Sequence, residues 1–229
     1  QIDLIAQAWS VLSDAAPLDL QRLAMSAVET HLVDADAGLI KLQTGVQGGA
    51  VIQNGGINRT GTSLLGFLIL SNANTFSGPT TNRIGMLRLD NSLALQNSAL
   101  DTTASIAGAT NDGLRLNTGV TTVTLGGLIG NKNFAATGGI FSTTSNNYNA
   151  VTALTLNPGS GTVSYSGVIA DGAAAMTLTK SGAGTQSLSG INTYSGSTTI
   201  SANSSTLEIG GAGNLGGGAY AGSIAIGSG

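Results

Sequence analysis

MTLTKSGAGTQSLSGINTYSGSTTI, residues Met176–Ile200, is the stretch whose reading decides the fold. Apolar or β-branched residues alternate with Thr and Ser through Met176, Leu178, Leu188 and Thr198 to Ile200, and Gly-containing turns at Ser181–Gly184, Ser189–Gly190 and Ser195–Gly196 separate the runs. This is a strand and turn grammar with no helical period. Part of it recurs: residues 74–81, NTFSGPTT, match residues 192–199, NTYSGSTT, at six of eight positions, 118 residues apart. Self-similarity at this level predicts a repeat array.

Working outward, Leu178, Thr179, Gly182 and Gly184, then Leu188 and Gly190, then Asn192, Thr193, Tyr194, Ser195 and Gly196, form a motif that resembles the passenger-associated transport repeat, also called the autotransporter-associated β-strand repeat. The preceding Tyr165–Gly172 is similar to the lead-in of that family. A second copy covers Leu70 to Leu89, with Asn74, Thr75, Phe76, Ser77 and Gly78 in the matching places. It departs from the pattern at residues 82–86, NRIGM, where the family has an apolar residue and a short Gly turn. The resemblance implies a right-handed parallel β-solenoid in a secreted or surface-displayed bacterial protein, and it implies no catalytic residues. In such passengers, coils that fold outside the cell are proposed to help draw the chain outward.

Composition bounds the answer independently. The chain has 229 residues, 35 glycines, 41% hydrophobic, 8% charged and 4% aromatic residues. Low charge with adequate hydrophobicity is not the profile of disorder. It suits stacked sheets whose polar face is Ser, Thr and Asn. With no cysteine there are no disulfides and no thiolate chemistry, and a net charge of −3 offers no field for nucleic acid. No run of 18 apolar residues predicts a membrane-spanning helix. The start at Gln1, without Met or a signal-peptide pattern, reads as a processed product or a fragment.

Residues 1–44 are a different material. Eight of the 19 charges lie there with Trp9 and His31, while Gly38 is its only glycine and Gly45 stands just past the boundary. Ile2, Ile5, Trp9 and Leu12 fall at helical spacing, as do Leu20, Leu23, Ala27, Val28 and Leu32 after a break at residues 14–17, DAAP. Pro17 and Asp19 suit the first turn of the second helix. The expectation is an α-helical hairpin that either caps the open end of the solenoid or docks on a neighbouring subunit. DNA recognition is disfavoured because Arg22 and Lys41 are surrounded by six acidic residues.

Residues 45–229 show short strand-like segments at 50–52, 63–70, 86–89, 92–95, 114–116, 121–125, 151–156, 162–168, 176–179, 186–188, 198–200, 207–209 and 223–226. Parallel pairing without crossover helices leaves a solenoid. At roughly 20 to 25 residues per coil this predicts about eight coils with an interior of Val, Ile, Leu and Ala. An antiparallel sandwich is the competing architecture, but it rarely combines so much Gly with so few aromatic residues.

Solenoid lyases and hydrolases need clustered carboxylates. From Asn117 onward the only charges are Lys132, Asp171, Lys180 and Glu208, and no two are close in sequence. Arg88 and Asp90 share a strand face and read as a surface ion pair. His31 stands alone, the calcium nonapeptide is missing, and residues 210–216, GGAGNLG, read as a Gly-rich corner rather than a dinucleotide loop. No catalytic residue, cofactor or metal is expected. The expected function is a non-enzymatic stalk or fibre at the bacterial surface or beyond, continued by more chain or stacked head to tail into filaments. The alternatives are an adhesin or glycan-binding face, or a virus tail-fibre subunit. Tyr148, Tyr165, Tyr194 and Tyr220 are the candidates for glycan contacts, though packing at the corners is the simpler role for them.

Overall fold

The computed structural model describes residues 17–31, 33–34, 39–40, 50–53, 56–59, 67–110, 112–201 and 204–227. The chain divides into two units, Gln1–Gln47 and Gly48–Gly229.

In the first unit a helix, α1 (Leu18–His31), is followed by the strand pair β1 (Val33–Asp34) and β2 (Leu39–Ile40), which run antiparallel. The carbonyl of Pro17 accepts from Leu20 N and Gln21 N, and Asp19 lies in the positive first turn. The helix forms where the sequence predicts its second one. Its covered line differs: Gln21 and Val28 are buried and Ala24 is half-buried, whereas Leu20 and Leu23 are 52% and 65% exposed. The inward stripe is turned by about one residue from the predicted Leu20–Leu23 face. The other predicted helix, over Ile2–Leu12, lies outside the described residues.

The second unit is mainly β, built from parallel strands stacked as a solenoid of about six turns. Its strands are, in order, β3 (Ala50–Gln53), β4 (Gly56–Arg59), β5 (Phe67–Leu70), β6 (Thr81–Asn82), β7 (Met86–Leu89), β8 (Leu100–Asp101), β9 (Gly113–Leu116), β10 (Thr122–Leu125), β11 (Leu128–Ile129), β12 (Ala153–Leu156), β13 (Thr162–Tyr165), β14 (Thr177–Lys180), β15 (Thr185–Leu188), β16 (Thr198–Ile200), β17 (Thr206–Ile209) and β18 (Ile224–Ile226). One wall stacks β10, β12, β14, β16 and β18 in parallel. A second stacks β13, β15 and β17, and it is joined through Gly130 and Tyr165 to the pair β8 and β11. A third stacks β5, β7 and β9, extended by a bridge from Leu114 to Phe141.

Two expectations need correction. The first strands of this unit are not parallel: β3 and β4 form an antiparallel hairpin, and parallel stacking begins where β4 meets β6. Gln53 faces Gly56 across the hairpin, and the two intervening residues are Asn54-Gly55, a pair that strongly favours hairpin connections. The turns also number about six rather than eight, because they are longer than assumed. Register partners on the five-stranded wall are 31, 24, 20 and 26 residues apart. The long step carries an excursion with a 3-10 turn at Tyr148–Ala150. Residues 92–94 form a turn instead of a strand, with Asn91 Oδ1 accepting from Leu93 N at 2.8 Å, and Leu95 alone of the expected segment pairs, in a parallel bridge to Leu125.

The interior follows from the period-2 pattern. Leu87 stacks on Leu114, Leu89 on Leu116, Leu125 on Leu156 and Leu154 on Leu178, all buried. Inside the long excursion Phe134, Phe141 and Tyr148 are buried together, with ring centroids 4.5 to 5.2 Å apart.

Candidate functional site

The recurring motif is where sequence and structure coincide, so the site is built from it. Leu178 and Leu188 point into the core from β14 and β15, and Thr179 faces outward between them. The corner joining these strands needs Gly182, whose φ of 72° L side chains rarely adopt, and Gly184 N closes it on Pro158 O at 2.9 Å. At Gly190 the reason is space, since a Cβ there would lie 2.1 Å from Gly167 O.

Beyond the corner the two copies hold the same alternation. Asn192, Tyr194 and Gly196 are buried while Thr193 and Ser195 are exposed; Asn74, Phe76 and Gly78 are half-buried while Thr75 and Ser77 are exposed. Each copy is then clasped by the coil that follows it, at three equivalent points. The Asn side chain donates to a carbonyl of that coil: Asn74 Nδ2 to Ala94 O at 3.0 Å, Asn192 Nδ2 to Asn214 O at 3.2 Å. The carbonyl of the same Asn receives a donor in return, from Gln96 Nε2 at 3.1 Å and from Gly217 N at 2.8 Å.

The third point is a hydroxyl bridge. Ser98 Oγ donates to Gly78 O at 2.6 Å and lies 2.7 Å from Thr80 Oγ1; Tyr220 Oη donates to Gly196 O at 2.8 Å and lies 2.7 Å from Thr198 Oγ1. In the second copy Tyr194 Oη extends the chain, 2.7 Å from Thr198 Oγ1. Asn192 Oδ1 also accepts from Ile169 N at 3.0 Å, so that one side chain ties three successive coils. Such linked bonds reinforce one another where water is excluded.

The sequence shows the motif half of this clasp and hides the other. Its partners are Ser98 in one copy and Tyr220 in the other, which share only a hydroxyl. Two further buried polar residues gave no sequence signal. Lys180 is fully buried in the core column between Leu156 and Ile200, and its Nζ donates to Ser181 O, Gly182 O and Ser205 Oγ at 2.5, 3.0 and 3.0 Å. Burial lowers its pKa. Gln186 reaches back 58 residues to β11, where Oε1 accepts from Leu128 N at 2.9 Å and Nε2 donates to Leu128 O at 3.0 Å.

The tyrosines do not form an exposed row. Tyr148, Tyr165 and Tyr194 are fully buried, and Tyr220 is half-buried with its ring edge-on to Tyr194. Burial raises the pKa of the first three above the ordinary tyrosine value, and Tyr194 is held back in part by its bond to Thr198. The glycan-contact reading of these residues therefore gives way to packing. The corners leave buried carbonyls that a phenol can satisfy: Tyr148 Oη donates to Ala170 O and Tyr165 Oη to Lys132 O, each at 2.7 Å.

Charged groups are dispersed. Arg88 and Asp90 form the two-pronged pair the sequence suggests, with contacts of 2.6 and 2.8 Å. Asp101, Asp112 and Asp171 accept from the backbone N–H groups of Thr103, Gly85 and Ser195 respectively. Among the described residues no three His, Cys, Asp or Glu side chains gather in metal-binding geometry. A recess of about 500 Å³ beside the 3-10 turn is lined by neutral groups, including Thr137, Thr143, Asn146 and Asn149. Among the described residues no helix is long and apolar enough to cross a membrane.

Wall, corner and clasp together define a parallel β-solenoid whose coils are tied by a recurring polar motif. The Passenger-associated-transport-repeat family model matches residues 66–81 and 178–202, the two segments that carry that motif, so the chain bears two copies of this repeat. No curated protein and no solved structure matches the chain.

Proposed function

We propose that this chain is a non-enzymatic, rigid segment of the exported passenger region of a bacterial surface protein. The observation that carries the reading is the repeated clasp: in both copies of the transport repeat, side chains and backbone bind the coil that follows. A motif spent on joining coils serves length and stiffness. The dispersed carboxylates and neutral recess support a structural role over hydrolysis.

Head-to-tail stacking is the second reading. β18 lies at the edge of the five-stranded wall, and Ile224 and Ile226 are exposed there, Ile226 at 77%, with Ile209 exposed on β17. Another coil placed on this edge, of the same polypeptide or of a second copy, would cover them and pair the backbone there. Immunogold microscopy of intact source cells tests both readings. Gold on the outer surface is expected, and gold in threads would mark stacking. Label found only after the cells are broken open would contradict export.

A further inference from the structure

One turn of the solenoid is built unlike the others. Register partners on the five-stranded wall lie 31 residues apart between β10 and β12, against 24, 20 and 26 at the later steps. The recess of about 500 Å³ belongs wholly to that longer turn, since every residue lining it falls between Ala136 and Ala150. Insertions into a repeat array collect on one face, which is often the face that binds. The volume lies within the range of about 300–1,000 Å³ usual for small-ligand sites.

The polar groups there divide into two sets. One set holds the excursion in shape. Asn146 Nδ2 donates to Ala136 O and Ser142 O at 3.0 and 2.6 Å, and its Oδ1 accepts from Tyr148 N at 2.9 Å. Asn147 Nδ2 donates to Leu116 O at 2.8 Å and Arg115 Nη2 to Thr144 O at 2.9 Å, which ties the loop to β9 at two points. Between Asn147 and Asn149, Tyr148 roots the loop in the buried aromatic cluster. So anchored, Ser145 and Asn147 keep φ of 50° and 58°, which few non-glycine residues adopt. The second set is left over: the hydroxyls of Thr137, Thr143 and Ser145 and the carboxamide of Asn149 belong to exposed residues of the recess and bond to no described residue.

We propose that this recess binds an uncharged sugar unit of a glycan chain. A sugar hydroxyl both donates and accepts, and so do the four free groups, three through a hydroxyl and one through an amide. No lining residue carries a charge, so an ionised ligand would give up its hydration without a partner of opposite sign. Ala136, Ala150 and the threonine methyls meet the C–H groups of a sugar ring. A loop fixed by its own bonds loses little freedom when the ligand arrives. The three aromatic rings of the excursion are buried, so none stacks on the sugar, and a Kd of about 1 mM or weaker is expected from hydrogen bonds alone. No residue of the clasp lines the recess, so binding and coil joining are separable by mutation.

The test is amide NMR of the isotope-labelled full chain during titration with sugars. The probes are neutral trisaccharides of glucose, mannose, galactose and N-acetylglucosamine, neutral oligosaccharides released from the surface polysaccharide of the source cells, and trigalacturonate as the charged comparison. At least one neutral sugar should move the amides of residues 136–150 in a saturable way, and whether it comes from the commercial or the cell-derived set tells the source. Thr143→Val/Asn149→Leu keeps the bulk of both side chains and removes their hydrogen bonds. It should weaken that sugar by about 10- to 100-fold, at three- to tenfold for each neutral bond lost, while the unfolding midpoint stays. Ser164→Ala/Ser187→Ala, on the outward side of another wall, should bind as the natural chain does. Amides of 136–150 unmoved by every neutral sugar would overturn the proposal, as would equal binding by Thr143→Val/Asn149→Leu or tighter binding of trigalacturonate. Shifts of the same amides with chain concentration alone would give the recess to a second copy and overturn it as well.

Discussion

Phe134→Ala is expected to lower the unfolding free energy by about 3–5 kcal/mol, the range for removing a large, fully buried aromatic side chain. Phe134 meets Phe141 and Tyr148 edge-on, with centroids 5.0 and 5.2 Å away. Its backbone joins the next coil: Phe134 N donates to Val168 O at 2.8 Å, and Ala170 N donates to Phe134 O at 3.1 Å. The lost ring thus opens a cavity where the longest excursion is pinned to the stack, and the edge-on contacts add about 0.5–1.5 kcal/mol beyond area burial. Urea unfolding followed by circular dichroism measures the change. A loss under about 1 kcal/mol would mean that the aromatic cluster does not hold the excursion, because exposed aromatic truncations cost that little.

Gln186→Leu keeps the volume and removes the hydrogen bonds, which makes it the sharper probe of the wall. β11 pairs with β8 on one side, and on the other side Leu128 finds the carboxamide of Gln186 in place of a strand. Nε2 also donates to Val163 O at 3.1 Å on the intervening strand. Leucine would leave the Leu128 N–H and C=O buried and unpaired at about 1–3 kcal/mol each, so a net loss of about 2–4 kcal/mol is expected after leucine's own burial is counted. The same unfolding experiment reads it. A neutral or stabilising outcome would show that water reaches Leu128, or that β13 closes onto β11.

These two sites mark where sequence reading ends. The parallel stack was legible because Leu, Val and Thr alternate with period 2 and the Gly corners break every run. Met86–Leu89 and Thr198–Ile200 form strands at the limits the alternation indicates. The motif residues were legible through their recurrence, and Asn192, Tyr194 and Gly196 do face inward. What the alternation cannot show is a polar residue in an inward place. Lys180 and Gln186 occupy core positions of β14 and β15, and their purpose appears only when Ser205 and Leu128 are brought to them from other coils.

The short strands β6, β8 and β11 were missed for a related reason. Two residues carry no period, so their pairing is decided by the coil beneath. The β3–β4 hairpin had a local signal in Asn54-Gly55, which the parallel expectation overrode. The coil count failed because an excursion folded around Phe134, Phe141 and Tyr148 lengthens one turn without adding a strand to the five-stranded wall.

Cysteine pairs give the most direct measurement of the stacking itself, since the chain has no cysteine of its own. Thr155 and Thr179 are register partners on neighbouring coils, as are Ser164 and Ser187 on another wall. In-register neighbours lie about 4.8 Å apart, within the Cα span a disulfide bridges, whereas partners two coils apart lie beyond it. Each neighbouring pair should oxidise to a disulfide in the folded chain, and a Thr155/Thr199 pair should stay reduced. Ready closure of Thr155 with Thr199, or failure of both neighbouring pairs in a folded chain, would contradict coil-on-coil stacking.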